Sequence, residues 1–262
     1  MSTDELHVFD NEFLGRSGVL DRHARRANDR IREATAAVEK RGARLDQTVI
    51  SDSLSLADER LGLQVRPESY APCFARQAQS RPGAQVVKEK TPTYAMLEAS
   101  HWQISLERLL ASDLNPHVVV SMRDPVKRVM SQYRMAQGSA WGESSIRTDA
   151  DGALGWLLAP DHSKRANYRT TAESLTAVLP RDRFRLVLFE SMFTDFEMRR
   201  MTDFLGIDYV DPEFEHISNQ STWQWECADV VRGQLREEFD DAYVFARAWF
   251  GEEPIQGLWK NA

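Results

Sequence analysis

The chain has 262 residues, of which 42% are hydrophobic and 28% are charged, and its formal net charge is -7. One α/β domain fits this length, since a single core can extend to about 250 to 300 residues. No apolar run approaches the roughly 20 residues of a membrane span, no secretory signal is visible, and the acidic balance argues against general nucleic-acid binding. We therefore expect a single cytoplasmic domain, residues 1–262, with no membrane span and no nucleic-acid partner.

Cysteine and histidine usage argues against a metal centre. Cys73 and Cys227 are far apart in the sequence and lack metal-type spacing, so they fit ordinary thiols of a reducing compartment. The six histidines form no H-x-x-x-H pattern. The sequence therefore predicts no metal site.

The first half of the chain predicts helices around one short strand. Residues 19–41 are rich in Ala, Arg and Glu without proline, which favours a helix. A second helix is predicted over 67–78 and an amphipathic one over 96–112. Between them, Gly83 turns the chain into a predicted strand at Val86-Val87.

The most informative segment follows. The run Val118–Val120 is apolar and β-branched, as is typical of a strand buried on both faces of a parallel sheet. Arg123 comes at its carboxyl end, Asp124 takes an N-cap position and Pro125 the first helical position. A strand that leads into a helix N-terminus is where open α/β sheets bind anions.

Two side chains of this segment suit one anionic ligand. The planar guanidinium of Arg123 matches phosphate oxygens, and Ser131, about two helical turns into the helix, can donate its hydroxyl to the same group. A plain structural alternative is a capping aspartate beside an arginine in a surface ion pair. The residue types alone leave both interpretations open.

The second half predicts a loop, two helices and a strand. Residues 137–164 contain four glycines and a proline, which favours a long loop of the lid or recognition type. Within it, Trp141 and Trp156 either stack on an acceptor ring or pack in a corner of the core. A helix is expected from Asn167 to about residue 179, a strand from residue 184, and a long helix through residue 250 before the closing Trp259.

Several segments together resemble the sulfotransferase family. Residues 123–133, Arg-Asp-Pro-Val-Lys-Arg-Val-Met-Ser-Gln-Tyr, resemble the segment in which an Arg and a Ser hold the 3′-phosphate of the sulfuryl donor PAPS (3′-phosphoadenosine 5′-phosphosulfate). Residues 86–94 resemble the G-E-K-[ST]-P-x-Y stretch that lines the acceptor site. Residues 184–190 and 201–206 resemble a late strand ending in glutamate and an F-L-G helix end, so the resemblance covers most of 84–210 and, more weakly, the tail to Trp259.

The resemblance implies both a fold and a set of site residues. The fold is α/β, a central parallel sheet flanked by helices, as in the P-loop-NTPase-like sulfotransferase fold. By the same resemblance, Arg123 and Ser131 hold the 3′-phosphate, and Tyr168 faces the nucleotide cleft. Lys88 or Lys90 steadies the sulfuryl group or the acceptor. PAPS is then the co-substrate, PAP the product, and no metal is needed.

The amino-terminal part departs from the family. Such proteins carry a first strand and a G-x-x-K-x-G-T-[ST] loop that cradles the 5′-phosphosulfate, and the nearest match, Leu14-Gly-Arg-Ser-Gly18, lacks the threonines. Residues 5–10 instead resemble the K-E-x-H-F-F-D motif of the glycan branch, with Asp4 in place of the usual Lys. On that alignment Glu5 is the catalytic base and His7 its neighbour. The alternative is a solvated carboxylate near a terminus.

Two functional hypotheses follow. The first is a sulfotransferase that moves a sulfuryl group from PAPS to a hydroxyl or amine of a carbohydrate or small metabolite. The second is a non-catalytic relative that binds PAP, a glycan or a protein partner. On the alignment above, the phosphosulfate loop would precede Met1, and the chain would be a truncated product, a late start, or a protein that has lost donor activation. A P-loop NTPase would need G-x-x-x-x-G-K-[ST], which the sequence lacks.

Overall fold

The structure is a computed structural model, and it describes residues 8–14, 28–29, 32, 62–63, 66–80, 82–83, 86–138, 149–214 and 227–260. It divides into two compact units, Met1–Pro116 and His117–Ala262. The helix predicted over 19–41 lies almost entirely outside the described residues. A single domain over 1–262 stays a prediction.

Helices dominate the first unit. They are α1 (Val8–Leu14), α2 (Tyr70–Gln79) and α3 (Ala99–Leu110), with 3-10 turns at Pro67–Ser69 and Pro92–Met96. The helix predicted over 67–78 is thereby confirmed. The one predicted over 96–112 is shorter than expected, because Glu98 caps it in a capping box with His101 and so fixes its first turn.

The strand predicted at Val86-Val87 is wrong. Residues 86–89 form no regular structure, and Val86 is 49% exposed. A strand is stabilised by ladder partners and a buried face. Two valines followed by Lys88-Glu89-Lys90 provide too short an apolar run to bury one.

The second unit contains a parallel pair of strands surrounded by helices. Strand β1 (Val118–Met122) pairs in parallel with β2 (Phe184–Leu188), with Val118 opposite Phe184 and Met122 opposite Leu188. The α/β class with a parallel sheet is thus confirmed, with two strands among the described residues. Because parallel strands end at the same edge, residues 123–124 and 189–190 leave the sheet side by side.

Burial differs between the two strands. In β2, four of the five side chains are buried. In β1, by contrast, Val119 is 38% exposed, Ser121 is exposed, and only Met122 is fully buried. The expectation that the valine run is buried on both faces is therefore wrong: side chains alternate across the pleat, and only one face of β1 is covered by the described chain.

Helices follow both strands. They are α4 (Pro125–Gly138), α5 (Ala150–Leu158), α6 (Pro160–Ser163), α7 (Tyr168–Val178), α8 (Asp195–Leu205), α9 (Asp229–Glu238), α10 (Asp240–Phe250) and α11 (Glu252–Leu258). Helix α7 begins at its N-cap Asn167 as predicted, and α8 ends at Gly206, whose φ of +66° is the left-handed conformation of a helix C-cap. The long C-terminal helix predicted through residue 250 is wrong, because the chain forms separate helices with a break at Phe239.

The loop predicted over 137–164 is also wrong for its second half. Residues 149–163 are largely helical, because Asp149 caps α5 by accepting the Gly152 N–H at 2.9 Å and the Ala-Leu-Trp-Leu content outweighs the glycines. Trp156 stacks on His162, with ring centroids 3.6 Å apart. This is the packed-corner alternative for Trp156, whereas Trp141 lies outside the described residues.

None of the helices in the described chain combines the length and the apolar content needed to cross a bilayer. No group of three or more His, Cys, Asp or Glu side chains in these residues is arranged to hold a metal ion.

Candidate functional site

The turn between β1 and α4 is built around a buried aspartate. Asp124 is 0% exposed, and its Oδ1 accepts the backbone N–H groups of Val126 at 3.0 Å and Lys127 at 3.2 Å. Its carbonyl accepts the N–H of Arg128 at 2.8 Å. The N-cap predicted for Asp124 is confirmed, and Pro125 begins the helix.

This cap changes how the turn can bind an anion. The N–H groups that a helix N-terminus normally offers to an anion are here satisfied by Asp124 itself. Pro125 has no N–H to offer. An anion at this turn must therefore be held by side chains rather than by the backbone of the first helical turn.

The backbone of Arg123 is fixed by one tyrosine. The Tyr168 hydroxyl donates to the carbonyl oxygen of Arg123 at 2.6 Å and accepts its N–H at 3.2 Å. Tyr168 is 3% exposed, and burial raises the pKa of its phenol from 10.0 to about 12. At neutral pH the phenol is protonated, as its donated hydrogen bond requires.

Asp124 is held from two further directions. Its N–H donates to Oε1 of Glu190 at 3.1 Å, and the other oxygen of Glu190 accepts the indole N–H of Trp259 at 2.9 Å. The carboxylate of Asp124 also accepts the hydroxyl of Tyr243 at 3.0 Å. Burial and the Asp124 carboxylate both raise the pKa of Tyr243, which keeps this hydroxyl protonated.

The side chain of Arg123 contrasts with its backbone. The half-buried guanidinium lies over the ring of Phe189, its central carbon 5.0 Å from the ring centroid. Its Nε is buried without a hydrogen-bond partner, and none of the ion pairs among the described residues uses this arginine. The surface ion pair considered above is therefore not what this part of the chain forms. A buried cationic donor without a partner suits an anionic ligand.

Ser131 lies further along α4, on its polar face. The helix buries Val126, Val129, Met130 and Tyr133. Ser131 shares a half-buried stripe beside this face with Lys127 and Arg134, one turn before and after it. Ser131 is half-buried and follows Pro125 by six residues, a rise of about 9 Å. The two cationic side chains of this stripe therefore lie next to Ser131, the residue predicted to bind the 3′-phosphate.

A third cation of α4 is already engaged. Arg128 donates to the carbonyl oxygen of His162 at 2.9 Å and to the side chain of Gln132 at 3.1 Å. Burial lowers the pKa of its guanidinium. Arg128 thus ties α4 to the helical segment that follows it, which separates its role from that of Arg123.

In the first unit, the segment that resembles the family's acceptor-lining stretch is organised by Glu89. Its carboxylate accepts three hydroxyls, from Tyr70, from Thr91 at 2.6 Å and from Tyr94 at 3.0 Å. Burial, together with the charge of Glu89, raises the pKa of Tyr70 well above its ordinary value. We call these four residues the Glu89 cluster.

Tyr94 connects the Glu89 cluster to the first helix. Its hydroxyl accepts the backbone N–H groups of Val8 at 3.2 Å and Phe9 at 3.4 Å, the first two residues of α1. The Phe9 ring packs against Tyr70 and Tyr94, with centroids 4.6 and 5.6 Å away. The start of α1, which directly follows the predicted residues Glu5 and His7, is therefore fixed to the Glu89 cluster.

The predicted site residues are distributed over both units. In the first, Lys88 and Lys90 are exposed on either side of half-buried Glu89, while Glu5 and His7 lie outside the described residues. In the second, Arg123 and Tyr168 are in direct contact and Ser131 lies on α4.

Several residues of the site were missed by sequence reasoning. Glu89 and Tyr94 stand inside a motif that was recognised, so the signal was present but only its lysines were chosen. Glu190 likewise ends a recognised strand. Tyr243 and Trp259 follow no local pattern, since they reach partners 119 and 69 residues away.

These observations define the class of protein first: an α/β protein whose strand-to-helix turn carries an arginine with no anionic partner among the described residues. A comparison with family models then gives the family. The model of the sulfotransferase family matches residues 4–211, and the chain belongs to that family. No curated protein and no solved structure matches the chain. The matched range includes every predicted site residue and ends before Tyr243 and Trp259.

Proposed function

We propose that the protein transfers the sulfuryl group of PAPS to a hydroxyl or amine of a carbohydrate or small metabolite. The observation that carries this proposal is Arg123, whose backbone is fixed on both sides while its guanidinium has no anionic partner among the described residues. Family membership supplies the reaction type. The chemistry of Arg123 and Ser131 fits a phosphate, because a planar fork and a hydroxyl both donate to its oxygens.

The proposed reaction is a single displacement at sulfur. The acceptor oxygen or nitrogen forms a bond to sulfur, the bond from sulfur to the bridging phosphate oxygen breaks, and PAP leaves with the electron pair. The acceptor proton goes to Glu5, with His7 beside it in the sequence. Lys88 or Lys90 stabilises the charge on the sulfuryl oxygens.

The nucleotide is held at its 3′-phosphate. Arg123 donates to the phosphate oxygens, and Ser131 adds its hydroxyl from the polar face of α4. Tyr168 acts on the same site from behind, since its hydroxyl is committed to the backbone of Arg123. Its proposed role is thus to hold the arginine rather than to contact the nucleotide directly.

The test is release of PAP from PAPS in the presence of a panel of hydroxyl and amine acceptors. We expect PAP and sulfated product in equal amounts. The variant Arg123→Ala should raise the KM for PAPS, whereas Glu5→Gln should lower kcat and leave that KM unchanged, because a base acts on the acceptor. Arg199→Ala is the matched control, since its guanidinium is exposed and already paired with Asp195.

The non-catalytic alternative predicts a different result. A relative that only binds PAP would bind the nucleotide and form no sulfated product with any acceptor of the panel, as would one that binds only a glycan or a protein, except that it would leave the nucleotide unbound. Nucleotide binding without product would overturn the proposed transfer and leave the nucleotide site standing.

A further inference from the structure

We infer that Tyr243 and Trp259, in the C-terminal helical part outside the family match, are positioning residues of the Arg123 anion site. They act through Asp124 and Glu190 on the turn that carries Arg123. The inference rests on the proposed nucleotide-binding function and assigns part of that binding to a segment that the family match does not cover.

Both residues are packed against the turn from the side away from solvent. Tyr243 is 0% exposed and Trp259 is 1% exposed. The Trp259 ring lies edge-on to Tyr243, with centroids 5.8 Å apart, and 6.1 Å from the Tyr168 ring. These three rings, the Trp259 cluster, bring α7, α10 and the segment after α11 to one place behind Arg123.

Each side chain of the Trp259 cluster donates a hydrogen bond, either to the Arg123–Asp124 turn or to Glu190, which binds that turn. Tyr168 reaches the backbone of Arg123, Tyr243 reaches the carboxylate of Asp124, and Trp259 reaches Glu190. Glu190 in turn accepts the N–H of Asp124. The main chain from Arg123 to Asp124 therefore cannot shift without breaking a hydrogen bond in a buried environment, where an unmade bond is costly.

Fixing this main chain matters for binding because of Arg123. An arginine side chain loses rotamer freedom when it grips an anion, and affinity falls further if its backbone must also be ordered. Arg123 begins at a position that the five hydrogen bonds of this network have already defined. Tyr243 and Trp259 thus contribute to affinity without contacting the nucleotide.

Removing the hydroxyl of Tyr243 is the most specific substitution with which to test the inference. Tyr243→Phe keeps the ring in the Trp259 cluster and deletes only the donor to Asp124, whose buried carboxylate then keeps its two N–H donors from α4. The matched control is Tyr209→Phe, which also deletes a tyrosine hydroxyl bonded to an aspartate, Asp195, but at an exposed position.

The experiment is calorimetric titration of PAP into the full chain and its variants, under conditions where each is fully folded. We expect Tyr243→Phe to weaken PAP binding a few-fold, with about tenfold, the equivalent of one hydrogen bond to a charged group, as the upper limit, and Tyr209→Phe to bind like wild type. In the Arg123→Ala background the effect of Tyr243→Phe should disappear, because Tyr243 acts through that arginine. General loosening of the fold would instead lower affinity in both backgrounds.

A measurement without nucleotide tests the geometry separately. Amide hydrogen exchange at Arg123 and Asp124 should be faster in Tyr243→Phe than in wild type or in Tyr209→Phe. If wild type binds PAP and Tyr243→Phe binds it with the same affinity, the inference is overturned and the proposed function stays intact. Failure of the wild type to bind PAP would overturn both, and unchanged exchange at the turn would overturn the inference alone.

Discussion

The Glu89 cluster of the first unit and the Arg123–Asp124 turn of the second use the same chemistry for different ends. In each, tyrosine hydroxyls donate to a carboxylate that the fold has partly or fully buried. In the Glu89 cluster, the Tyr94 hydroxyl also accepts a backbone N–H of α1 and so fixes the start of that helix. At the turn, hydrogen bonds of the same kind fix the backbone of Arg123, while its guanidinium has no anionic partner among the described residues.

This difference separates residues that stabilise the fold from residues that are available to bind a ligand. The carboxylates of Glu89 and Asp124 accept hydrogen bonds from donors within their own unit, so these bonds stabilise the fold. Arg123 is the reverse, since its Nε is buried and has no hydrogen-bond partner in the part of the chain that the structure describes. A site is therefore best sought where the backbone is fully hydrogen-bonded and the side chain is not.

The largest effect should come from removing the centre of the turn. Asp124→Ala deletes the cap of α4 and leaves the Tyr243 hydroxyl and two N–H groups without their acceptor, which should lower the free energy of unfolding by about 3 kcal/mol. Urea denaturation measures this change. Asp149→Ala, the loss of an exposed cap on α5, is the control and should lower it by about 1 kcal/mol. Equal losses in the two variants would contradict a special role for the buried carboxylate.

A smaller effect is expected in the first unit. Tyr94→Phe removes the hydroxyl that links Glu89 to α1 and should lower the free energy of unfolding by about 1 to 2 kcal/mol. Hydrogen exchange of the Val8 and Phe9 amides should become faster. Tyr70→Phe also removes a donor to Glu89 but touches neither amide, so exchange at α1 should stay as in wild type. Faster exchange in both variants would mean that the cluster acts only through general stability.

An effect that is absent at neutral pH, and in that sense the smallest, is a pH dependence of the turn. Burial raises the folded-state pKa of Tyr168 from 10.0 to about 12, so the folded protein holds this proton more tightly than the unfolded chain. The resulting stabilisation is complete below pH 10.0 and is lost as the pH rises toward about 12. Chemical denaturation at several pH values should show unfolding becoming easier across this range, and less steeply in Tyr168→Phe. An identical slope in the variant would contradict the assignment.

Sequence reasoning found the parts of the fold that local chemistry determines. Asp124-Pro125 predicts a capped helix start, Asn167 another, and the apolar run from Phe184 a strand, because each signal lies within a few residues. Where the outcome depends on burial, the prediction was wrong. The Val86-Val87 run is too short to bury a face, and the residues that the structure describes cover only one face of β1.

The candidate site divides in the same way. Arg123 and Ser131 were found through a contiguous pattern. Tyr243 and Trp259 were not, since a donor that arrives from 119 residues away leaves no periodicity or spacing in the sequence. Glu89 stands between two lysines of a recognised motif, but only the structure shows that three hydroxyls donate to its carboxylate.

The most direct test of the central claim compares two nucleotides on two proteins. PAP and AMP differ by the 3′-phosphate, and titration of each into wild type and Arg123→Ala isolates what the arginine contributes to that group. We expect wild type to prefer PAP about ten- to hundredfold, the range of a charge-assisted hydrogen bond, and Arg123→Ala to lose most of this preference. A preference for PAP that survives intact in Arg123→Ala, or no preference in wild type, would contradict the assignment of Arg123 to the 3′-phosphate.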